Sequence, residues 1–150
     1  MGNSLIKGYN INFEDMQYAI NEQNNHTQNS YQNTKIIIIN TLDVNNQHCL
    51  IAGTTPIVSE VETINYYLKT YKDVKVIIYG MNSSDDTCIN KYDQLVKLGF
   101  YNVYVYAGGL FEWLLLQDIY GSDLFPTTND KVDFLKYKGR KKLNINLLEN

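Results

Sequence analysis

At 150 residues, 44% of them hydrophobic, the chain has the size of one globular domain and needs no staples to bury roughly 70% of its unfolded surface. A net charge of -3 with 19% charged residues excludes a body that neutralises nucleic-acid phosphates through a basic face. Two cysteines, Cys49 and Cys88, make neither a disulfide framework nor a zinc cluster, so no metal or other cofactor is expected and a reducing compartment fits.

Met1 to Asn12 lacks the apolar run of a secretory leader, and no stretch of about 18 apolar residues follows, so a soluble, cytoplasmic protein is expected. Met1-Gly2-Asn3-Ser4-Leu5-Ile6-Lys7 begins like a myristoylation signal but has Ile6 where Ser or Thr is preferred. Gly2 is therefore a lipidation candidate. One acyl chain anchors only marginally without a second signal. Thirteen tyrosines, a single arginine (Arg140) and abundant Asn, Ile and Lys reflect A+T-rich coding and say nothing about activity.

In chain order, Asn12 to Asn21 places Phe13, Met16 and Ile20 on one face behind Asn12 as N-cap, a short amphipathic helix. Glu22 to Thr34 is a polar connector with His26 inside it, expected to be a mobile loop. The isoleucines of Lys35 to Asn40 read as a strand buried on both sides. Leu50 to Gly53 reads as a second, shorter strand, and Pro56 opens a helix carrying Ile57, Val61, Ile64 and Leu68. Val74 to Tyr79 is the third strand. Asp86 to Leu98 is helical with Ile89, Tyr92, Leu95 and Val96 inward and Gly99 ending it, Asn102 to Ala107 is the fourth strand, and Gly108-Gly109 leads into the helix Leu110 to Tyr120. This alternation predicts an α/β fold, a single doubly wound, mainly parallel sheet flanked by helices.

The expected organisation is an N-terminal arm (1–11), a domain (12–125) and a C-terminal tail (126–150). In the tail, Asp130 to Tyr137 reads as a further short helix. Lys136, Lys138, Arg140, Lys141 and Lys142 make a basic cluster ahead of Leu143 to Leu148, either an arm packed back on the body or a partner-binding segment.

Three segments resemble the rhodanese-like family. His48-Cys49-Leu50-Ile51-Ala52 is similar to the family's Gly-His-Ile-x-Gly-Ala segment. Val76-Ile77-Ile78-Tyr79 with its six-residue loop resembles the strand that delivers the catalytic cysteine. Leu98-Gly99-Phe100-Tyr101-Asn102-Val103-Tyr104-Val105-Tyr106-Ala107-Gly108-Gly109-Leu110-Phe111-Glu112-Trp113 resembles the family's closing signature of a Gly-Phe turn, a strand, a Gly pair and a Trp. The resemblance covers roughly Asn12 to Tyr120. It implies a loop after the third strand carrying Cys-x-x-x-x-Arg, whose amides, helix dipole and arginine stabilise a thiolate or persulfide. Laid on this chain, Gly80 stands at the cysteine position, Asp85 at the arginine position, and Asn40 where an Asp is usual.

The loop Gly80, Met81, Asn82, Ser83, Ser84, Asp85 is thus expected to be vestigial, with no catalytic residue, no cofactor and no metal. Ser84, Asp85 and Asp86 are suited to cap the next helix, and their carboxylates are expected to plug the site and repel thiosulfate, persulfide and phosphate. The resulting expectation is an inactive rhodanese-like domain that binds a protein partner through the loop rim and the tail. Two alternatives stand beside it. One is a sulfurtransferase or hydrolase with relocated chemistry, using Cys88 or the Ser83/Ser84/Asp85 cluster. The other is a membrane-peripheral adaptor anchored through acylated Gly2 and the basic cluster. Cys88 and Cys49 read as buried inert thiols, His48 as a structural residue and Trp113 as core.

Overall fold

The computed structural model describes residues 9–26, 35–130 and 133–143. The lipidation candidate Gly2, most of the polar connector and most of the last apolar run lie outside them. Among the described residues four strands form one sheet: β1 Asn10–Ile11, β2 Ile36–Asn40, β3 Lys75–Tyr79 and β4 Val103–Tyr106, in the order β1-β4-β3-β2, with every neighbouring pair parallel. Four helices flank it: α1 Phe13–His26, α2 Glu60–Thr70, α3 Thr87–Leu98 and α4 Gly109–Tyr120. None is long and apolar enough to cross a membrane.

The two faces of the sheet are written into the period-two pattern of the strands. Ile36, Ile38, Ile77, Tyr79 and Tyr106 pack with Met16, Ala19, Leu110 and Trp113 from α1 and α4. Ile37, Ile39, Val76, Ile78, Val103 and Val105 pack with Ile64 of α2 and with Cys88, Tyr92 and Leu95 of α3. Each fully buried isoleucine contributes about 1.5–3 kcal/mol, so a one-residue slip of β2 is strongly disfavoured. The doubly wound α/β expectation holds.

Several element boundaries differ from those read in the sequence. Leu50 to Gly53 is not a strand. Ile51 makes one antiparallel bridge to Thr127, and Thr54 one parallel bridge to Ile38. The segment's other backbone groups are taken by Pro126 O, by the Thr128 N–H and by the Tyr79 hydroxyl, to which the Ile51 N–H donates at 3.1 Å. The fourth strand is instead β1, too short to show periodicity, held at the sheet edge by pairing with Val105 and Tyr106.

Helix α1 runs past Asn21 to His26, so the first five residues of the expected loop are helical. A tertiary bond favours the extension: Gln23 Nε2 donates to Ile36 O at 2.9 Å. Its start is as read, with Asn12 Oδ1 accepting the Asp15 N–H and Asp15 Oδ2 accepting the Asn12 N–H, a reciprocal capping box. Val61 and Val96, expected inward, are exposed, and Ile57 sits in a 3-10 turn before α2. Gly99 closes α3 at φ 117°, its N–H reaching Leu95 O and Val96 O.

Past α4 the chain folds back onto the body. Phe125 is buried, and Tyr137, at the end of a 3-10 turn (Phe134–Tyr137), is fully buried in the α1/α4 core.

Candidate functional site

Beyond the carboxyl end of β3 the chain makes the loop Gly80 to Asp86, and α3 begins at Thr87. One side chain organises this loop. Asp85 Oδ2 accepts the Met81 N–H at 2.9 Å, while Oδ1 accepts the Thr87 N–H at 2.9 Å and the Thr87 hydroxyl at 2.5 Å. Asp86 precedes α3 but makes no side-chain cap bond, and the Ser84 N–H donates to Asn82 Oδ1. The capping role expected of Ser84, Asp85 and Asp86 together falls to Asp85 alone, an arrangement that stabilises by about 0.5–2 kcal/mol.

The loop is seated on the N-terminus of α4. Leu110 N donates to Gly80 O at 3.0 Å and Phe111 N to Met81 O at 2.9 Å, so loop carbonyls satisfy amides that the helix itself leaves open. Gly109 makes this approach possible. It sits at φ 69°, and a Cβ there would lie 2.8 Å from Gly80 O. Trp113, one turn on, is fully buried, donates from Nε1 to Pro126 O at 3.0 Å and stands edge-on to Tyr106 and Phe125. It is core, as read.

Gly80 is buried, and no side chain fits there as the loop stands. A Cβ would lie 2.5 Å from Asp85 Oδ2 and 2.9 Å from Cys88 Sγ. Cys88 therefore lies directly beneath the loop. Its thiol is 7% exposed and 3.7 Å from Thr41 Oγ1. Burial pushes its pKa up to about 11, partly offset by the Thr41 hydrogen bond and reinforced by Asp85. Cys49 is fully buried on the opposite face of the sheet, its thiol also raised by burial, with Sγ 3.5 Å from Asn129 O.

His48 is exposed, and it is its backbone carbonyl that accepts the Asn129 side-chain amide. Asn40 is 5% exposed at the end of β2; its Oδ1 accepts the Leu42 N–H, and its amide and that of Gln47 each donate to the other. Ser83 is exposed and is not among the residues lining the cleft described next.

Above the loop lies a cleft of about 510 Å³, bordered on one side by Asp43, Asp85 and Thr87 and on the other by the tail cations Lys136, Lys138, Arg140 and Lys142. The tail is tied over the loop by Asn82, whose Nδ2 donates to Tyr137 O at 2.9 Å. Four cations therefore face two carboxylates. Among the described residues none of the four is ion-paired; the salt bridge there, Lys91 to Glu60, lies on α2 and α3. The expected self-plugging describes the loop amides, which Asp85 occupies, but not the cleft as a whole, whose excess charge is positive. Sequence reasoning found the basic cluster and missed its place. The available signal was Tyr137, an aromatic set inside the basic run and able to anchor it.

Residues 10–116 match the family model of the rhodanese-like domain. Among solved structures, the BH2092 protein from Bacillus halodurans is 18% identical, with 75% of this chain and 74% of that one covered at a TM-score of 0.52. The Alr3790 protein from Anabaena sp. is 18% identical, with 84% and 97% covered at a TM-score of 0.52. A solution structure of the rhodanese-like domain of Alr3790 is 17% identical, with 92% and 89% covered at a TM-score of 0.51. At these identities the likeness is one of fold. No curated protein matches the chain. The matched span takes in all four strands, the loop and most of α4 and stops short of the tail, and over that span the chain belongs to the rhodanese-like domain family.

Proposed function

We propose that this rhodanese-like domain carries no sulfurtransferase activity and serves as a protein-binding module, through the rim of the loop Gly80 to Asp86 and the tail beyond Pro126. One observation carries the first half. The Asp85 carboxylate holds the Met81 and Thr87 amides and fills the space a side chain at position 80 would need. A thiolate or persulfide at the carboxyl end of β3 would need both that space and those amides. Here an internal anion already has them. The buried, protonated state of Cys88 supports the same reading.

The test is an assay of the intact chain with thiosulfate or mercaptopyruvate as sulfur donor and cyanide as acceptor. No turnover is expected. Turnover abolished by Cys88→Ser would overturn the reading.

A relocated sulfurtransferase is the second reading, because Cys88 Sγ lies so close to the position 80 would project into. Iodoacetamide decides between them: alkylation of the native protein below pH 7 would require a depressed thiol pKa, opposite in direction to the one burial produces. The binding half is tested by capturing partners from native cells. Removing the whole tail is unsuited to this, since its Tyr137 belongs to the core. Charge reversal at Lys138, Arg140 and Lys142 leaves the core intact and is expected to abolish capture.

A further inference from the structure

Three features of the cleft point to the chemistry of its occupant. The first is charge: four cations without ion pairs among the described residues border one open volume against two carboxylates, one of which, Asp85, is already engaged with three donors. The second is spacing. The cations lining the cleft are Lys136, Lys138, Arg140 and Lys142, every second residue, while Gly139 and Lys141 do not line it. The backbone is extended at Lys138, with φ -62° and ψ 155°. The chain thus leaves the 3-10 turn that holds Lys136 in an open, polyproline-like conformation. The third is what the walls lack. No aromatic ring among the described residues lines the cleft, so they offer no stacking face for a nucleobase.

We propose that the cleft binds an extended acidic peptide segment of a partner protein, with carboxylates at alternate positions pairing with Lys138, Arg140 and Lys142. The occupant is elongated because the four cations are supplied by a single run of chain, Lys136 to Lys142, which leaves the 3-10 turn in an open conformation at Lys138. The loop amides stay closed to it, held by Asp85, so recognition runs along the tail side of the cleft. Tyr137, buried and bonded through its carbonyl to Asn82, sets where the row of cations begins. The tail side of the cleft lies beyond the span matched by the rhodanese-like domain model, and the loop side lies within it.

The proposal rests on the reading of the domain as a binding module, and its test separates the two. Fluorescence anisotropy is measured on the intact chain with a labelled peptide of four Glu-Ser repeats. The comparison is with a Lys138→Glu/Arg140→Glu/Lys142→Glu variant and with a control of equal charge change, Lys69→Glu/Lys72→Glu/Lys97→Glu, placed on the helices and the turn after α2. Saturable binding is expected that weakens as salt rises past about 0.1 M, falls at least about tenfold in the tail variant, and persists in the control. Equal loss in both variants would show net charge alone and overturn the proposal. Tighter binding of tripolyphosphate than of the peptide would also overturn it, in favour of a compact polyanion. No peptide binding at low salt overturns it too, yet if partner capture from cells still depends on Lys138, Arg140 and Lys142 the module reading stands.

Discussion

The loop Gly80 to Asp86 and the tail Phe134 to Lys142 border the same cleft and treat their polar groups in opposite ways. In the loop the Met81 and Thr87 amides meet an acceptor from their own sequence neighbourhood, Asp85, within four residues of each. In the tail the backbone is anchored by one buried aromatic and one side-chain amide; Lys136 sits over the Tyr137 ring, and Lys138, Arg140 and Lys142 border the open cleft without ion pairs among the described residues. The contrast teaches that loop amides can be satisfied locally, because a carboxylate needs only a short reach to take a helix N-terminus. A distant segment can bring to the same cleft charges that it does not itself neutralise.

The largest expected effect breaks the tail's half of that contrast. Tyr137→Ala should cost about 3–4 kcal/mol, as truncation of a fully buried aromatic does, with the urea midpoint as the measurement. A variant as stable as the parent would mean that the tail is not anchored through the core.

Titration of Cys88 sharpens the loop's half. The thiol holds its proton more tightly folded, at about 11, than at the ordinary 9.0. Its contribution is therefore fully present below about pH 9 and is lost as pH rises towards 11, on the order of 2–3 kcal/mol. Urea unfolding at intervals from pH 8 to 10.5 should show this fall, and a Cys88→Ala chain should show a shallower one. Equal slopes would place the thiol in contact with water.

Filling the loop is the next test. Gly80→Cys forces a side chain against Asp85 and Cys88 and should destabilise by about 1–3 kcal/mol. Adding Asp85→Ala should recover part of that loss, a non-additive pair because the two side chains compete for one space. Additive losses would mean that the loop relaxes independently of Asp85. The smallest effect concerns a hydroxyl. Tyr137 Oη is buried without a hydrogen-bond partner among the described residues, so Tyr137→Phe should be neutral or stabilise by up to about 1 kcal/mol in a thermal melt. A clear loss would reveal a partner for it.

The parts of the fold legible in the sequence were those in which a residue's environment is set by its neighbours along the chain. Ile36 to Ile39 announce a strand buried on both faces by composition alone, and Asn12 with Asp15 announces the start of α1. The loop Gly80 to Asp86 was readable because it is short and bounded by a strand and a helix. Leu50 to Gly53 misled because its short apolar run is satisfied here without a ladder, by Tyr79 and the segment around Pro126. Strand β1 was invisible because two residues carry no period.

By itself, then, the sequence determined the layers, the order of the elements and the absence of a cysteine and an arginine from the loop, all consequences of local pattern and residue identity. Tertiary structure alone decided that Asp85 closes the loop amides, that Cys88 lies beneath Gly80, and that the basic tail returns over the site. The return of the tail depends on residues far apart in the chain, brought together by hydrophobic burial of Tyr137, whereas the contacts of Asp85 and Cys88 are close in sequence and depend on the conformation the loop adopts.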